Sequence, residues 1–289
     1  MEEEFHNHMR IPWHDYTRKS LGHPITEASL SEKASIIGRT GIMLLSCGTG
    51  AWRVRSSMNT LARELGITCT ADIGLLSIEY TCIAGGDCYT ESLCLFNTGV
   101  NTSKLYRMEL FVNKFATNCK KMSGDELHTL LDQIHEIHGF YSPPFLGLAA
   151  AVACCAFTFL LGGGPIEMFC AFLGAGAGNY LRAKMNQHHL TLFLCTAASV
   201  ALACVVYTIS FMALKSGFDV SIHHQAGYIC SMLFIIPGFP FITSGIDLAK
   251  LDMRSGLERL TYAIIIIAVA TLTAWMLALV LHLKPMDFL

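Results

Sequence analysis

Apolar and polar positions along this chain follow three successive patterns. Over about residues 30 to 65, apolar side chains recur at helical spacing, among them Ile36, Ile37, Met43, Leu44, Val54, Met58, Leu61 and Leu65. Gly48-Thr49-Gly50 interrupts that run, so two helices or one kinked helix are predicted there. A short strand near 67–71 is expected next, then two alternating stretches at 74–84 and 88–96. Gly85-Gly86-Asp87 between them is a hairpin signal. Helical spacing returns over 103–121 and 123–138, and Ser123-Gly124-Asp125-Glu126 has the form of a capping box at the start of the second. Residues 1–30 show no periodicity and read as a mobile lead-in.

From Pro143-Pro144 onward the pattern is almost continuously apolar. Against a hydrocarbon core of roughly 30 Å, spans are expected at about 145–162, 166–183, 190–213, 226–248 and 260–282. The second is rich in small residues, Gly174-Ala175-Gly176-Ala177-Gly178, a spacing that lets helix backbones approach closely. The fourth carries Pro237-Gly238-Phe239-Pro240, where two missing backbone donors make a continuous helix untenable. The expected fold class is an α-helical membrane protein with five transmembrane helices, one broken by Pro-Gly-Phe-Pro, preceded by a small α+β cytoplasmic domain. The expected boundaries are a mobile segment at 1–30, the α+β domain at 31–143 and the membrane domain at 144–289.

Charge supports this division. Residues 1–143 hold 13 of the 20 Lys and Arg residues and 16 of the 22 Asp and Glu residues, leaving few charges for the apolar part. A net charge of −2 provides no basic footprint, which argues against a nucleic-acid partner. The start, Met1-Glu2-Glu3-Glu4-Phe5-His6, lacks the form of a signal peptide. Twelve cysteines without a C-x-x-C pair read as reduced, small apolar fillers. With the first domain cytoplasmic, Arg182, Lys184, Lys250, Arg254 and Arg259 fall in inner loops, against Lys215 and Lys284 outside. That bias predicts an N-in, C-out topology, in contact with membrane lipid.

The candidate chemistry centres on the break. Broken helices offer free backbone groups near the midplane, where transporters bind substrates. Pro237, Gly238 and Pro240 mark that site, with Thr243 and Ser244 as hydroxyl ligands and Asp247 as the nearest carboxylate. Asp247 is either a proton carrier or a helix-end residue paired with Lys250 or Arg254. Asn179, an amide near the end of the second span, either packs against a neighbour or faces a pathway. Glu167, His188-His189 and His223-His224 read as interfacial residues. His128, His135 and His138 share one helical stripe, but two turns separate the first two, too far for one metal ion. No Ser-His-Asp order, G-x-S-x-G, H-E-x-x-H or Walker A motif is present, so neither catalysis nor direct ATP drive is expected. No cofactor or metal is implied.

Two segments carry a family likeness. One is Leu44-Leu45-Ser46-Cys47-Gly48-Thr49-Gly50-Ala51-Trp52-Arg53-Val54-Arg55-Ser56-Ser57-Met58. The other is Ile236-Pro237-Gly238-Phe239-Pro240-Phe241-Ile242-Thr243-Ser244-Gly245-Ile246-Asp247-Leu248, followed by Gly256-Leu257-Glu258-Arg259. Through them the chain resembles the threonine/serine exporter (ThrE-like) family over about residues 30–283, and more narrowly the larger, N-terminal-type subunit of its split members. The resemblance implies efflux of threonine and serine, or of succinate, and a smaller membrane subunit of the same family as partner. Without such a partner, a homo-oligomer is implied. It also singles out Gly48 and Arg53 in the cytoplasmic domain, with Arg53 at the centre of a gating, assembly or sensing role. Trp52 and Arg55 depart from the family pattern, which usually has Tyr and Glu there. The expectation is the large subunit of a two-component secondary exporter in a bacterial cytoplasmic membrane, moving a small polar metabolite with the proton gradient. The rivals are a membrane-anchored hydrolase-type enzyme, which needs no mid-membrane break, and a non-transporting scaffold or sensor.

Overall fold

The predicted interruption at Gly48-Thr49-Gly50 divides two helices, α1 (Leu30–Ser46) and α2 (Ala51–Glu64). The computed structural model describes residues 11–17, 22–137, 141–188, 190–215 and 225–281. After α2 come β1 (Thr68–Ile73), β2 (Ser77–Ala84) and β3 (Asp87–Cys94), an antiparallel sheet in the order β1-β2-β3. The expected hairpin forms: Gly85 and Gly86 have φ of +60° and +95°, values that β-carbon sterics deny most residues and that match strand twist in a two-residue turn. Then follow α3 (Thr102–Lys114), a π-helical turn at Phe115–Cys119, and α4 (Gly124–His135). The capping box at Ser123 is present, with Glu126 Oε2 accepting from the Ser123 amide at 2.8 Å and Ser123 Oγ accepting from the Glu126 amide at 3.3 Å.

The core of this part is built around α1, which is buried on nearly all sides. Ile36, Ile37, Leu44 and Leu45 meet Val54, Met58 and Leu61 of α2 and the inward residues Ile78, Tyr80 and Cys82 of β2. Period-two alternation on β2 thus does what a one-sided sheet requires, putting Ile78, Tyr80 and Cys82 under the helices and Glu79 in solvent.

The second half is helical: α5 (Pro143–Leu160), α6 (Pro165–Gln187), α7 (Leu192–Lys215), α8 (Gln225–Ser231), α9 (Gly238–Ala249) and α10 (Met253–Val280). Among the described residues three of these, α5, α7 and α10, are long and apolar enough to cross a membrane; a fourth span exists if Ala226–Ile235 and α9 are one broken crossing. The expected second span corresponds to α6, which has the length, 23 residues, but carries Glu167, Arg182, Lys184 and Asn179 among its glycines. Its small residues do form a seam. A β-carbon on Gly174 would lie 2.7 Å from the Ala203 carbonyl oxygen, and one on Gly178 would lie 2.7 Å from that of Ser199, both on α7.

By contacts the chain divides into two compact units. One comprises Met1–Gly139 with Phe239–Leu260, the other Phe140–Gly238 with Thr261–Leu289. Helix α10 runs through both. Its 28 residues reach about 42 Å at 1.5 Å per residue, against the roughly 30 Å a bilayer core needs. The surplus is its start, Met253 to Leu260, the part that packs with the first unit. Arg254 and Arg259, read from the sequence as loop residues, therefore lie on the first turns of a helix.

Candidate functional site

Only one of the two prolines breaks the helix. Pro237 lies between a 3₁₀ turn, Leu233–Ile235, and α9, and the Gly238 amide turns back to the Ile236 carbonyl at 2.9 Å. Pro240 sits in the first turn of α9, where a missing N–H costs nothing because that position has no intrahelical acceptor. In the second unit, Arg182 Nη1 donates to the Phe234 carbonyl at 3.3 Å, so an arginine answers one of the carbonyls that the interruption frees. Asn179 Nδ2 donates to the Leu146 carbonyl at 2.8 Å, tying α6 to the first turn of α5. Of the two alternatives for Asn179, this contact is the packing one.

In the first unit the two segments that carried the family likeness meet. The Gly48-Thr49-Gly50 turn supplies one side. Gly48, at φ +82°, ends α1 in the left-handed conformation that favours glycine, and its amide closes on the Leu45 carbonyl at 2.9 Å. Gly50 is the N-cap of α2 and has no side chain to cap it. The missing oxygen comes from Asp247 on α9, whose Oδ2 accepts from the Ala51 amide at 3.2 Å. Arg259 on α10 covers the other end, with Nη1 donating to the Gly48 carbonyl at 3.1 Å and Nη2 to that of Thr49 at 2.8 Å. A carboxylate thus faces the positive end of α2, matched to its helix dipole, while a guanidinium satisfies the two carbonyls of the turn that precedes it.

Asp247 and Arg259 also face each other, Oδ2 to Nε at 3.3 Å, and Ser255 bridges them. Its Oγ donates to Asp247 Oδ2 at 3.0 Å and accepts from Arg259 Nε at 3.1 Å. Ser244 Oγ donates across the helical hairpin to the Gly256 carbonyl at 2.8 Å. Asp247 is 0% exposed and Arg259 2%, so both charges are withdrawn from water. Asp247 Oδ1 has no hydrogen-bond partner and packs against Gly50, where a β-carbon would come within 2.8 Å of it.

A second tier lies around this interlock. Arg55 Nη1 pairs with Asp252 Oδ1 at 2.5 Å and its Nε donates to the Ala71 carbonyl at 3.1 Å. Arg254 pairs with Asp72, and Glu258 Oε2 accepts from the Leu75 amide at 2.6 Å. Lys250 Nζ sits 4.0 Å above the Trp52 ring. Trp52 and Arg55, the two departures from the family pattern, therefore both face the turn joining α9 to α10.

The candidate residues consequently fall into three groups. Thr243, Ser244, Asp247 and Gly48 lie within or beside the interlock. The Thr243 hydroxyl turns back to the Phe239 and Pro240 carbonyls at 2.9 and 3.2 Å. Pro237 and Gly238 belong to the second unit, as does Asn179. Arg53, half exposed, pairs with Glu109 at 2.8 Å and lies over the Trp52 ring at 5.3 Å, and the arginine that pairs with Asp247 is Arg259. Neither Lys250 nor Arg254 is the partner of Asp247. Its partner lies twelve positions on, at the end of the Gly256-Leu257-Glu258-Arg259 stretch that carried part of the family likeness, with nothing in the sequence to single it out as the counter-charge.

A second ionic cluster holds the Trp13–Thr17 turn against α4. His14, in a 3₁₀ turn at Trp13–Thr17, bonds Asp125 Oδ1 through Nδ1 at 2.6 Å and Asp132 Oδ2 through Nε2 at 2.8 Å. Two carboxylate partners require both ring nitrogens to donate, which is the imidazolium form. Those bonds, to Asp125 and then Asp132, raise its pKa above the ordinary histidine value. Arg39 pairs with Asp132 and donates to the His128 carbonyl at 2.9 Å. Burial and the adjacent Arg39 push His128 down to about 3, so it is neutral. Of the predicted histidine stripe, His138 lies outside the described residues, and no group of three metal-ligating side chains occurs among those described.

An apolar helical unit, a helix broken at proline and a polar unit that grips the chain just past the break have the parts of a membrane transport protein. The chain belongs to the family described as "Putative threonine/serine exporter", whose profile matches residues 35–282. It is 26% identical over 244 residues to the "Probable succinate transporter subunit YjjP" of Escherichia coli (strain K12), covering 81% of this chain and 91% of the relative. The protein of the same description from Klebsiella aerogenes is 25% identical, covering 81% and 90%. No solved structure matches. The chain is thus a membrane protein of an exporter family, and a transporter rather than an enzyme.

Proposed function

We propose that this protein is the large subunit of a two-component secondary exporter in a bacterial cytoplasmic membrane, completed by a smaller membrane subunit of the same family. Its N-terminal α+β domain is cytoplasmic and its C-terminus external. The exported metabolite is small and polar, a dicarboxylate such as succinate in preference to threonine or serine, in keeping with the description of the two relatives. The observation that carries this reading is the buried Asp247–Arg259 pair, which fastens the residues just past the broken helix to the Gly48-Thr49 turn of the polar domain.

Such a pair is a two-state element. While Asp247 is ionised, Arg259, Ser255 and the α2 N-terminus are satisfied together. A proton on Asp247 removes the counter-charge of a buried guanidinium, and the hairpin of α9 and α10 is then released from the turn. That step would couple the proton gradient to opening at the break, where the backbone around Pro237, Gly238 and Pro240 faces substrate, with Thr243, Ser244 and Asn179 as further polar positions.

The test is efflux of preloaded labelled succinate, threonine and serine from cells expressing this chain with its partner subunit. Export of succinate by wild type, and its loss in Asp247→Asn at equal membrane abundance, is the expected result. Export of none of the three above the vector control would remove the exporter assignment for these substrates. Undiminished export by Asp247→Asn would remove the interlock from the mechanism.

A further inference from the structure

Beside the interlock, the first unit has an open groove of about 470 Å³ that the transport reading does not use. One wall is α2, whose Trp52, Arg55, Asn59 and Arg63 lie at i, i+3, i+7 and i+11, a single helical face. Val54, Met58 and Leu61 of the same helix point into the core. The other wall is the turn joining α9 to α10, through Lys250 and Asp252.

The charges of this lining do not balance. Arg55 and Asp252 pair at 2.5 Å and cancel. Arg63 and Lys250 remain with no further acid in the lining, and Lys250 is held over the face of Trp52, an aromatic ring that carries no net charge. Glu64, outside the lining, interacts with Arg63 but is itself paired with Lys120. Two cations without an acid partner in the lining therefore face each other across an open groove and raise the positive potential between them. A guanidinium fork fits carboxylate and phosphate oxygens two at a time, an ammonium meets them as a point charge, and the Asn59 amide adds neutral donors.

We propose that this groove is a binding site for a small dianion, a dicarboxylate or inorganic phosphate, held between Arg63 and Lys250. The site is wired to the interlock through the backbone. The amides of Lys250 and Asp252 both donate to the Asp247 carbonyl, at 3.1 and 2.9 Å. A dianion bridging the walls braces the turn against α2 and so favours the closed interlock, by the linkage that stabilises any state a ligand prefers. Binding here is independent of whether the chain transports.

The experiment uses the full-length chain purified in detergent, titrated calorimetrically with succinate and separately with inorganic phosphate, each at constant ionic strength against chloride. Wild type is expected to bind at least one of them saturably, with a rise in melting temperature. Combining Arg63→Gln with Lys250→Gln, both exposed positions, is expected to weaken binding at least tenfold while lowering the unliganded melting temperature only slightly, by the loss of the Lys250–Trp52 contact. Succinate binding alone assigns a carboxylate site, phosphate alone a phosphate site, and both a general dianion site. Binding of neither above chloride overturns the proposal, as does equal affinity in the folded double variant.

Discussion

The Asp247–Arg259 interlock and the His14 clasp use the same ingredients within one unit, carboxylate and nitrogen cation, and each ties together segments far apart in sequence. They differ in their exposure to water. Asp247 and Arg259 are 0% and 2% exposed, whereas His14, Asp125 and Asp132 are 47%, 43% and 45% exposed as side chains. In the first, every charge must find a partner inside the protein, because desolvation costs several kcal/mol per ion. In the second, solvent and salt screen the same attraction to about 1 kcal/mol or less. The lesson is that a sealed pair makes an all-or-none fastening, and a wet pair makes a graded one.

Removing one partner of the sealed pair breaks the comparison most severely. Arg259→Met leaves Asp247 buried without a counter-charge and the Gly48 and Thr49 carbonyls without a donor, and is expected to lower stability by about 3–5 kcal/mol. Combining it with Asp247→Leu is expected to recover much of that loss without restoring export. Denaturant titration of the purified variants measures both; a single substitution no worse than the pair would show that the charges are solvated.

Gly50→Ala tests the fit of the same site at smaller cost. The backbone there, φ −66° and ψ 154°, is open to alanine, so a loss reports the β-carbon meeting Asp247 Oδ1 at 2.8 Å and, less tightly, the Trp52 ring at 3.2 Å. The expected destabilisation is about 1–3 kcal/mol, as for other overpacked positions. It should largely vanish in an Asp247→Ala background, checked by the same titration as a double-mutant cycle.

The smallest effect belongs to the clasp and depends on pH. The folded-state pKa of His14 is raised, so its contribution is complete below the unfolded value near 6.5 and is lost as pH rises through the folded value. Hydrogen exchange of the Trp13–Thr17 turn is therefore expected to be slower at pH 5.5 than at pH 8.5, and His14→Gln is expected to abolish the difference. The interlock contains no histidine, and exchange at the start of α2 should not follow that titration.

Much of this architecture was legible along the chain. The pause at Gly48, the hairpin at Gly85-Gly86 and the capping box at Ser123 are local devices, each decided by sterics or hydrogen bonding within a few residues. The break was legible for the same reason, since Pro237 removes a donor wherever it sits. The fate of Pro240 was not, because position within a helix turn decides whether a proline disrupts it, and that depends on where α9 begins. Asp247 was recognisable as a carboxylate near the break. Its partner was not, because Lys250 and Arg254 are nearer in sequence than Arg259 and only the packing of α9 against α10 selects among them.

By itself, then, the sequence determined the helices and hairpin of the first part, the split between a charged and an apolar part, the interruption at Pro237 and the family. These follow from periodicity, backbone sterics and motifs that act over a few residues. Tertiary structure alone decided that Gly50 is capped by a carboxylate 197 positions later, that Arg259 is the arginine paired with that carboxylate, and that the first turns of α10 serve the polar unit. The physical reason is that a buried charge is satisfied by whichever group the fold brings within hydrogen-bond reach, and chain distance carries no information about that.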